Sequence, residues 1–480
     1  MKKSFLDFNF LSIKPLMRLN IFFLISLPIS LNVLSNLLTR QYNFYLLKIN
    51  IYDAISTLLL FIFLYLIGSN IKKIYDFDTV SFGIVIFLIS YYVIDLHTIL
   101  IFNNLSFNIN FLVVSLLWII LFLLKNNQFK SNLYLIISYI SLRLYNTFFN
   151  EKITTNTNII GDVEAIFFNQ SRNIYENSYF YSVINYVDEG YPQFSSYLQS
   201  LIYKISFNSE LFNFKASTSQ IIFFLIILFF LDLDISKANK TFLIYLYTLM
   251  IFNNQFYQFL FSTSLMSEGI VSYLMVVILY EVFKLKEKNV NSKIIFLIIG
   301  ILYFTKQFIN SFTILFIILS FLNKNLRKYA IFGLYFPFLK EVNYYVNFNN
   351  ITGGHHLSQI NISQAIVDLL TFNNLKFSNI YVIFQKIFMD KPYFIFLFLF
   401  FFSIIYFYSI HGFKKHIQIN SYVILILLNY LFVFALYISA WQNMELESPI
   451  RFFLTYFNLQ FLTLGLIIEY FYKQNKKVEN

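Results

Sequence analysis

The chain is 480 residues long; 58% of them are apolar, 21% aromatic and only 12% charged, with a formal net charge of +11. Ordinary soluble domains are roughly 25% charged, so a water-soluble fold is excluded, and the length suffices for about a dozen membrane crossings at about 20 residues each. The absence of Cys excludes a disulfide scaffold, a thiol nucleophile and a thiolate metal site.

In chain order, apolar runs bounded by charge predict helices over 19–38, 50–68, 80–102, 108–124, 132–148, 219–233, 240–258, 267–284, 293–305, 311–323, 328–346, 392–410, 420–440 and 451–472. The first follows a basic head and lacks a small-residue cleavage site, which reads as an uncleaved signal anchor. The run over 132–148 is the least regular, because Arg143 and Asn146 sit near its end. The expected fold is all-α: a polytopic integral membrane protein of about 14 transmembrane helices, forming one membrane-embedded domain over 1–480. Two connections are too polar to span and too long to be simple turns, 149–218 and 347–391; loops of that length are functional or disordered. Helical stretches are expected within the first, over 162–176 and 193–206.

With the N-terminus placed in the cytoplasm, most of the 35 Lys and Arg fall on the cytoplasmic side, among them Lys72, Lys73, Lys237, Lys284 and Lys473. This asymmetry sets the orientation and puts both long loops outside. It also accounts for most of the positive charge without nucleic acid, leaving anionic membrane lipid as its partner.

Several outer residues could carry chemistry. Asp162 and Glu164 lie in Gly161-Asp-Val-Glu-Ala-Ile-Phe-Phe-Asn. An acid before an apolar stretch can simply cap an interfacial helix; beside a low-dielectric wall it can equally serve as a general base, since such a wall raises a carboxyl pKa. Glu268 opens the helix over 267–284, where the helix dipole alone would favour an acid. Lys306 sits between two short helices and Arg451 at the outer end of the last one. Lys306 can be an ordinary cation at a helix C-terminus or the partner of a phosphate, and Arg451 an interfacial anchor or a partner for Glu447. Asp95 and His97 lie toward the outer end of the helix over 80–102, where ionisable groups are functional candidates. His355 and His356 are adjacent and lack a spaced third ligand, so they make a poor metal site. No Walker loop, dinucleotide fingerprint or His-Glu-x-x-His is present.

The order of these motifs resembles that of bacterial GT-C-type glycosyltransferases, integral membrane enzymes that use polyprenyl-phosphate-linked sugars as donors. One branch carries a stretch like Trp-Asp-Ala-Trp-Ser-Ile-Trp, then a basic residue and an aromatic, in its first large outer loop. Gly161 to Tyr175 resembles that stretch, with Asp162 at the acid and Arg172 at the basic position. Tyr191-Pro192 is similar to the Tyr-Pro that follows, Glu268 to an acid at a helix mouth, Lys306 to a Lys in a short outer turn, and Arg451-Phe-Phe-Leu to an Arg opening the last helix. The chain departs from the pattern at Glu164 and Phe167, where aromatics are usual, at Gln170, commonly basic, and at Gln307-Phe308, often Glu-Gly.

The resemblance covers roughly 150–470 and implies sugar transfer on the outer, periplasmic face of the inner membrane to a glycan, lipid-linked saccharide or protein. Asp162, Glu268 and Glu164 would be the catalytic acids, while Arg172, Tyr191, Lys306 and Arg451 would bind substrate. No cofactor is implied with certainty, and a divalent metal is compatible with these acids. A carrier or flippase for lipid-linked saccharides would need the same lipid groove and cations without a base. A glycan polymerase would share the architecture but use a diphosphate-linked donor.

Overall fold

A computed structural model describes residues 51–102, 110–126, 129–149, 196–198, 215–253, 267–284, 289–304, 313, 316–318, 320–321, 326–339, 362–412, 416–439 and 452–479. The described residues are helical, with no strand among them. In chain order the helices are α1 (Ile51–Tyr75), α2 (Val80–Phe102), α3 (Asn110–Asn126), α4 (Phe129–Phe148), α5 (Lys215–Asp232), α6 (Lys237–Asn253) and α7 (Ser267–Lys284). They continue with α8 (Asn289–Ile301), α9 (Arg327–Gly333), α10 (Ile362–Thr371), α11 (Ser378–Met389), α12 (Lys391–His411), α13 (Ile417–Ser439) and α14 (Phe457–Glu479). Short 3-10 turns, Leu302–Phe304 and Leu454–Tyr456, follow α8 and precede α14.

The described residues form an all-α fold, and three helices among them are long and apolar enough to cross a membrane: α1 over Ile55–Tyr75, α12 and α13. Large apolar side chains also point outward in stripes, as with Leu117, Ile120 and Leu124 on α3 and Phe398, Phe402 and Ile405 on α12. Exposed apolar faces of this extent are at home in lipid, where a helix satisfies its own backbone. The expected count of about 14 spans is not matched one for one. The run over 19–38 lies outside the described residues, as does most of 311–323. Two helices, α10 and α11, fall inside the second long loop, where no helix was expected.

Lipid supplies no hydrophobic drive between helices, so tight packing depends on small residues at crossings. α1 and α2 cross at Gly68 and Gly83, where a Cβ on Gly83 would overlap the Gly68 carbonyl. On α8, a Cβ on Gly300 would sit 2.6 Å from the carbonyl oxygen of Gly333 on α9. The turn between α1 and α2 closes on Asp76, whose φ of 56° is left-handed, while the Phe77 N–H returns to the Lys72 carbonyl at 3.1 Å. That six-to-one bond ends α1 in a Schellman motif. At the end of α4, Asn146 is buried and accepts from the Ser56 hydroxyl at 2.8 Å, and Arg143 Nε donates to the Tyr139 hydroxyl at 3.1 Å. Both polar groups that made this run irregular in sequence are therefore partnered.

α7 runs through the centre and is buried from Glu268 to Glu281. Hydrogen bonds at its C-terminal end gather one face of the bundle. Glu281 accepts from the Asp78 N–H at 3.2 Å, the Thr79 N–H at 2.8 Å and the Thr79 hydroxyl at 2.8 Å. Asp232, the last residue of α5, accepts from the Val80 N–H at 2.8 Å. Glu469 on α14 accepts from the Ser236 N–H at 2.8 Å and the Asn239 amide at 2.6 Å. Acids from three helices thus cover the exposed N–H groups that begin α2 and α6. Next to Glu469, Tyr470 lies with its ring 4.7 Å from His411 and 4.5 Å from His416, which brings the turn between α12 and α13 to the same face. Lys72, Lys73, Lys237, Lys284 and Lys473 all belong to this face.

Candidate functional site

The other end of α7 carries Glu268, 13 residues before Glu281 of the acid clamp, or about 20 Å at 1.5 Å per residue. Glu268 has no exposed surface and stands in the first turn of α7. Backbone N–H groups unused at a helix start, together with the dipole, stabilise a carboxylate there. One turn further, the Ser272 hydroxyl accepts from the Asn458 N–H at 3.1 Å. Glu268 and Ser272 therefore share the side of α7 that meets the start of α14.

The chain segments around this end are informative. The 3-10 turn Leu454–Tyr456 packs on α7, and so does the turn Leu302–Phe304. Lys306 follows the second of these by two residues, and Arg451 immediately precedes Phe452, a buried residue. Both 3-10 turns tighten the backbone at a helix end, where such turns are frequent. The first long loop reaches the same end of the bundle. Tyr197 packs against Tyr91 and Tyr92 of α2, with ring centroids 5.4 and 4.7 Å away.

The opposite side of α7 faces a small apolar crevice with a volume of about 30 Å³. Leu60 and Leu64 of α1, Leu88 of α2, Leu225 of α5, Tyr273 of α7 and Leu198 of the first loop are among its walls. Its walls offer almost no polar surface. Glu268 does not line it.

Of the residues singled out in sequence, Glu268 is the one whose surroundings are described. Asp162, Glu164, Arg172, Tyr191, Lys306 and Arg451 lie outside the described residues, as do His355 and His356. Asp95 and His97 are in the last third of α2. Among the described residues, no group of three His, Asp or Glu is placed to hold a metal ion.

Sequence reading missed the buried polar side chains that accompany Glu268. Asn458 has no exposed surface, and neither of its side-chain polar atoms has a hydrogen-bond partner. Gln460, two residues on, donates to the Tyr430 hydroxyl at 2.6 Å, which also pairs with the Tyr393 hydroxyl at 3.0 Å. The available signal was Asn458-Leu-Gln460 within an apolar run, since buried polar groups in a membrane helix cost free energy unless they are used. Asp232, Glu281 and Glu469 were also missed, although acids near helix ends beside lysines were visible. Comparison with known proteins finds no matching family model, no similar curated protein and no similar solved structure.

Proposed function

We propose that the chain is a polytopic inner-membrane glycosyltransferase of GT-C type, with about 14 spans and its site on the face opposite the lysine-rich one. It moves a sugar from a polyprenyl-phosphate donor to a glycan, lipid-linked saccharide or protein on the periplasmic side. The observation that supports this reading most is the burial of Glu268 at the start of α7, with the turns that lead to Lys306 and from Arg451 both packed on that helix. Asp162 takes the proton from the acceptor hydroxyl as it attacks the anomeric carbon. Glu268 orients that base or the acceptor. Lys306 and Arg451 offset the charge that builds on the departing phosphate, with Arg172 and Tyr191 holding substrate and Glu164 a secondary acid.

A carrier for the same lipid-linked saccharide would need the same cations without a base, so the fate of the donor decides between them. Purified protein in vesicles, given a labelled polyprenyl-phosphate sugar and an envelope extract as acceptor, should release free polyprenyl phosphate. Passage of the intact lipid across the bilayer without cleavage would replace the transferase with a carrier.

A further inference from the structure

α10 and α11 connect α9 to the membrane-crossing pair α12 and α13, and their geometry points to a second membrane contact. α11 is held to the end of α13: the Lys376 N–H donates to the Ile438 carbonyl at 3.0 Å, and the Asn379 amide donates to the Tyr437 carbonyl at 2.8 Å. From there α11 runs beside the spans rather than above them. The Phe384 ring lies 5.6 Å from Phe434 of α13, and the Phe388 ring 4.7 Å from Phe394 of α12. Phe434 precedes the last residue of α13 by five positions, which is about 7.5 Å along the axis. That is the depth at which interfacial helices sit, about 5–10 Å into the headgroup and acyl boundary.

At about 100° per residue, α11 has three sides. Asn379, Ile383 and Ile387 are buried against α12 and α13. Ser378, Gln385 and Lys386 share a second, mixed side with Val382 and Met389. Between these lies a third side of Tyr381, Phe384 and Phe388, which are 72%, 47% and 57% exposed. It is continued by Phe377 and by Leu370 and Phe372 at the end of α10. Nothing in a water-facing loop favours this many bare aromatics, whereas Tyr and other aromatics gather at headgroup level.

We propose that α10 and α11 form a monotopic hairpin embedded in the leaflet opposite the lysine-rich face, with the bilayer itself as the partner of the aromatic side. The surface is continuous with the lipid-facing stripe of α12, through Ile395, Phe398 and Phe402. Its charge fits a membrane surface as well. Asp390 is engaged in capping α12, accepting from the Tyr393 N–H at 3.1 Å, and Asp368 is buried, while Lys376 and Lys391 are exposed. The hairpin rests on the reading of α12 and α13 as spans, and sugar transfer plays no part in it.

The chain has no Cys, so single labelling sites are clean. Phe384→Cys, Gln385→Cys and Phe398→Cys, each carrying a nitroxide and reconstituted in nanodiscs, would be tested for collision with oxygen and with a water-soluble nickel chelate. The Phe384 label should favour oxygen several-fold, as the Phe398 reference does, and the adjacent Gln385 label should favour nickel. Tyr381→Cys gives the same reading at a more exposed site if the Phe384 variant fails to fold. Equal nickel access at 384 and 385, with 398 still in hydrocarbon, would overturn the hairpin. Shielding from both reagents with spin–spin broadening would overturn it too, in favour of a second copy. Nickel access at 398 would instead remove the membrane reading on which it stands.

Discussion

Glu281 allows the acid clamp to be tested quantitatively. Its carboxylate covers the Thr79 N–H, the Thr79 hydroxyl and the Asp78 N–H. Thr79 in turn caps α2, its hydroxyl accepting from the Phe82 N–H at 3.2 Å. Thr79 has no exposed surface, so its two donors lose a partner in full when Glu281→Ala removes the acceptor. Asp78 is exposed, and water can replace its bond. A buried donor left unpaired costs about 1–3 kcal/mol, so the two Thr79 donors put Glu281→Ala at about 2–6 kcal/mol less stable. Glu281→Gln keeps one acceptor oxygen but loses the charge, and should cost about 1.5–3 kcal/mol, the scale of hydrogen bonds to charged groups. Reversible unfolding in mixed SDS and detergent micelles would measure both. If both variants unfold within about 0.5 kcal/mol of the parent, as ordinary surface substitutions do, the clamp does not hold this face together.

Other outcomes follow from the same physical reasoning. Gly83→Leu forces α1 and α2 apart at the Gly68 carbonyl, and should cost about 1–3 kcal/mol or more in the same unfolding experiment, the scale of overpacking. Asp390→Ala removes the cap of α12 and should cost about 1 kcal/mol, visible as a modest drop in unfolding midpoint. Cys introduced at Ser195 or Ser358 should react with an impermeant reagent in intact spheroplasts; protection at either site, with access shown elsewhere, would reverse the orientation. Lys306→Met and Arg451→Met should each weaken donor binding by about 1.5–3 kcal/mol, read by direct titration, and unchanged binding in both would leave them as anchors.

Helices set by long apolar runs were legible in sequence, and α2 and α7 begin and end where the runs do. α10 and α11 were not, because each is only 10 or 12 residues long. Their apolar positions become evident only once α12 and α13 mark the depth at which they lie. At the candidate site, Glu268 was legible because a charge at the start of an apolar helix stands out. Asn458 was missed although its place beside Gln460 in an apolar run was a local signal, because that signal does not say which partner, if any, a buried amide meets. The clamp was illegible for a different reason. Its bonds join residues 152 to 233 positions apart, such as Val80 to Asp232 and Ser236 to Glu469, and sequence spacing says nothing about such pairs.

The central claim is that Asp162 and Glu268 serve one transfer reaction, and the turnover of Asp162→Asn and Glu268→Gln measured beside donor binding tests it most directly. Asn caps a helix as well as Asp does, so a structural role for Asp162 would survive that change, whereas it cannot accept a proton. A base acts as the new bond forms, and so weighs on rate more than on donor affinity. Both variants should insert and bind labelled donor; Asp162→Asn should lose on the order of 10²–10⁴ in polyprenyl phosphate release, and Glu268→Gln should lose rate with donor affinity retained. Near-parental release by Asp162→Asn, or a parent protein that never cleaves the donor, would contradict the account.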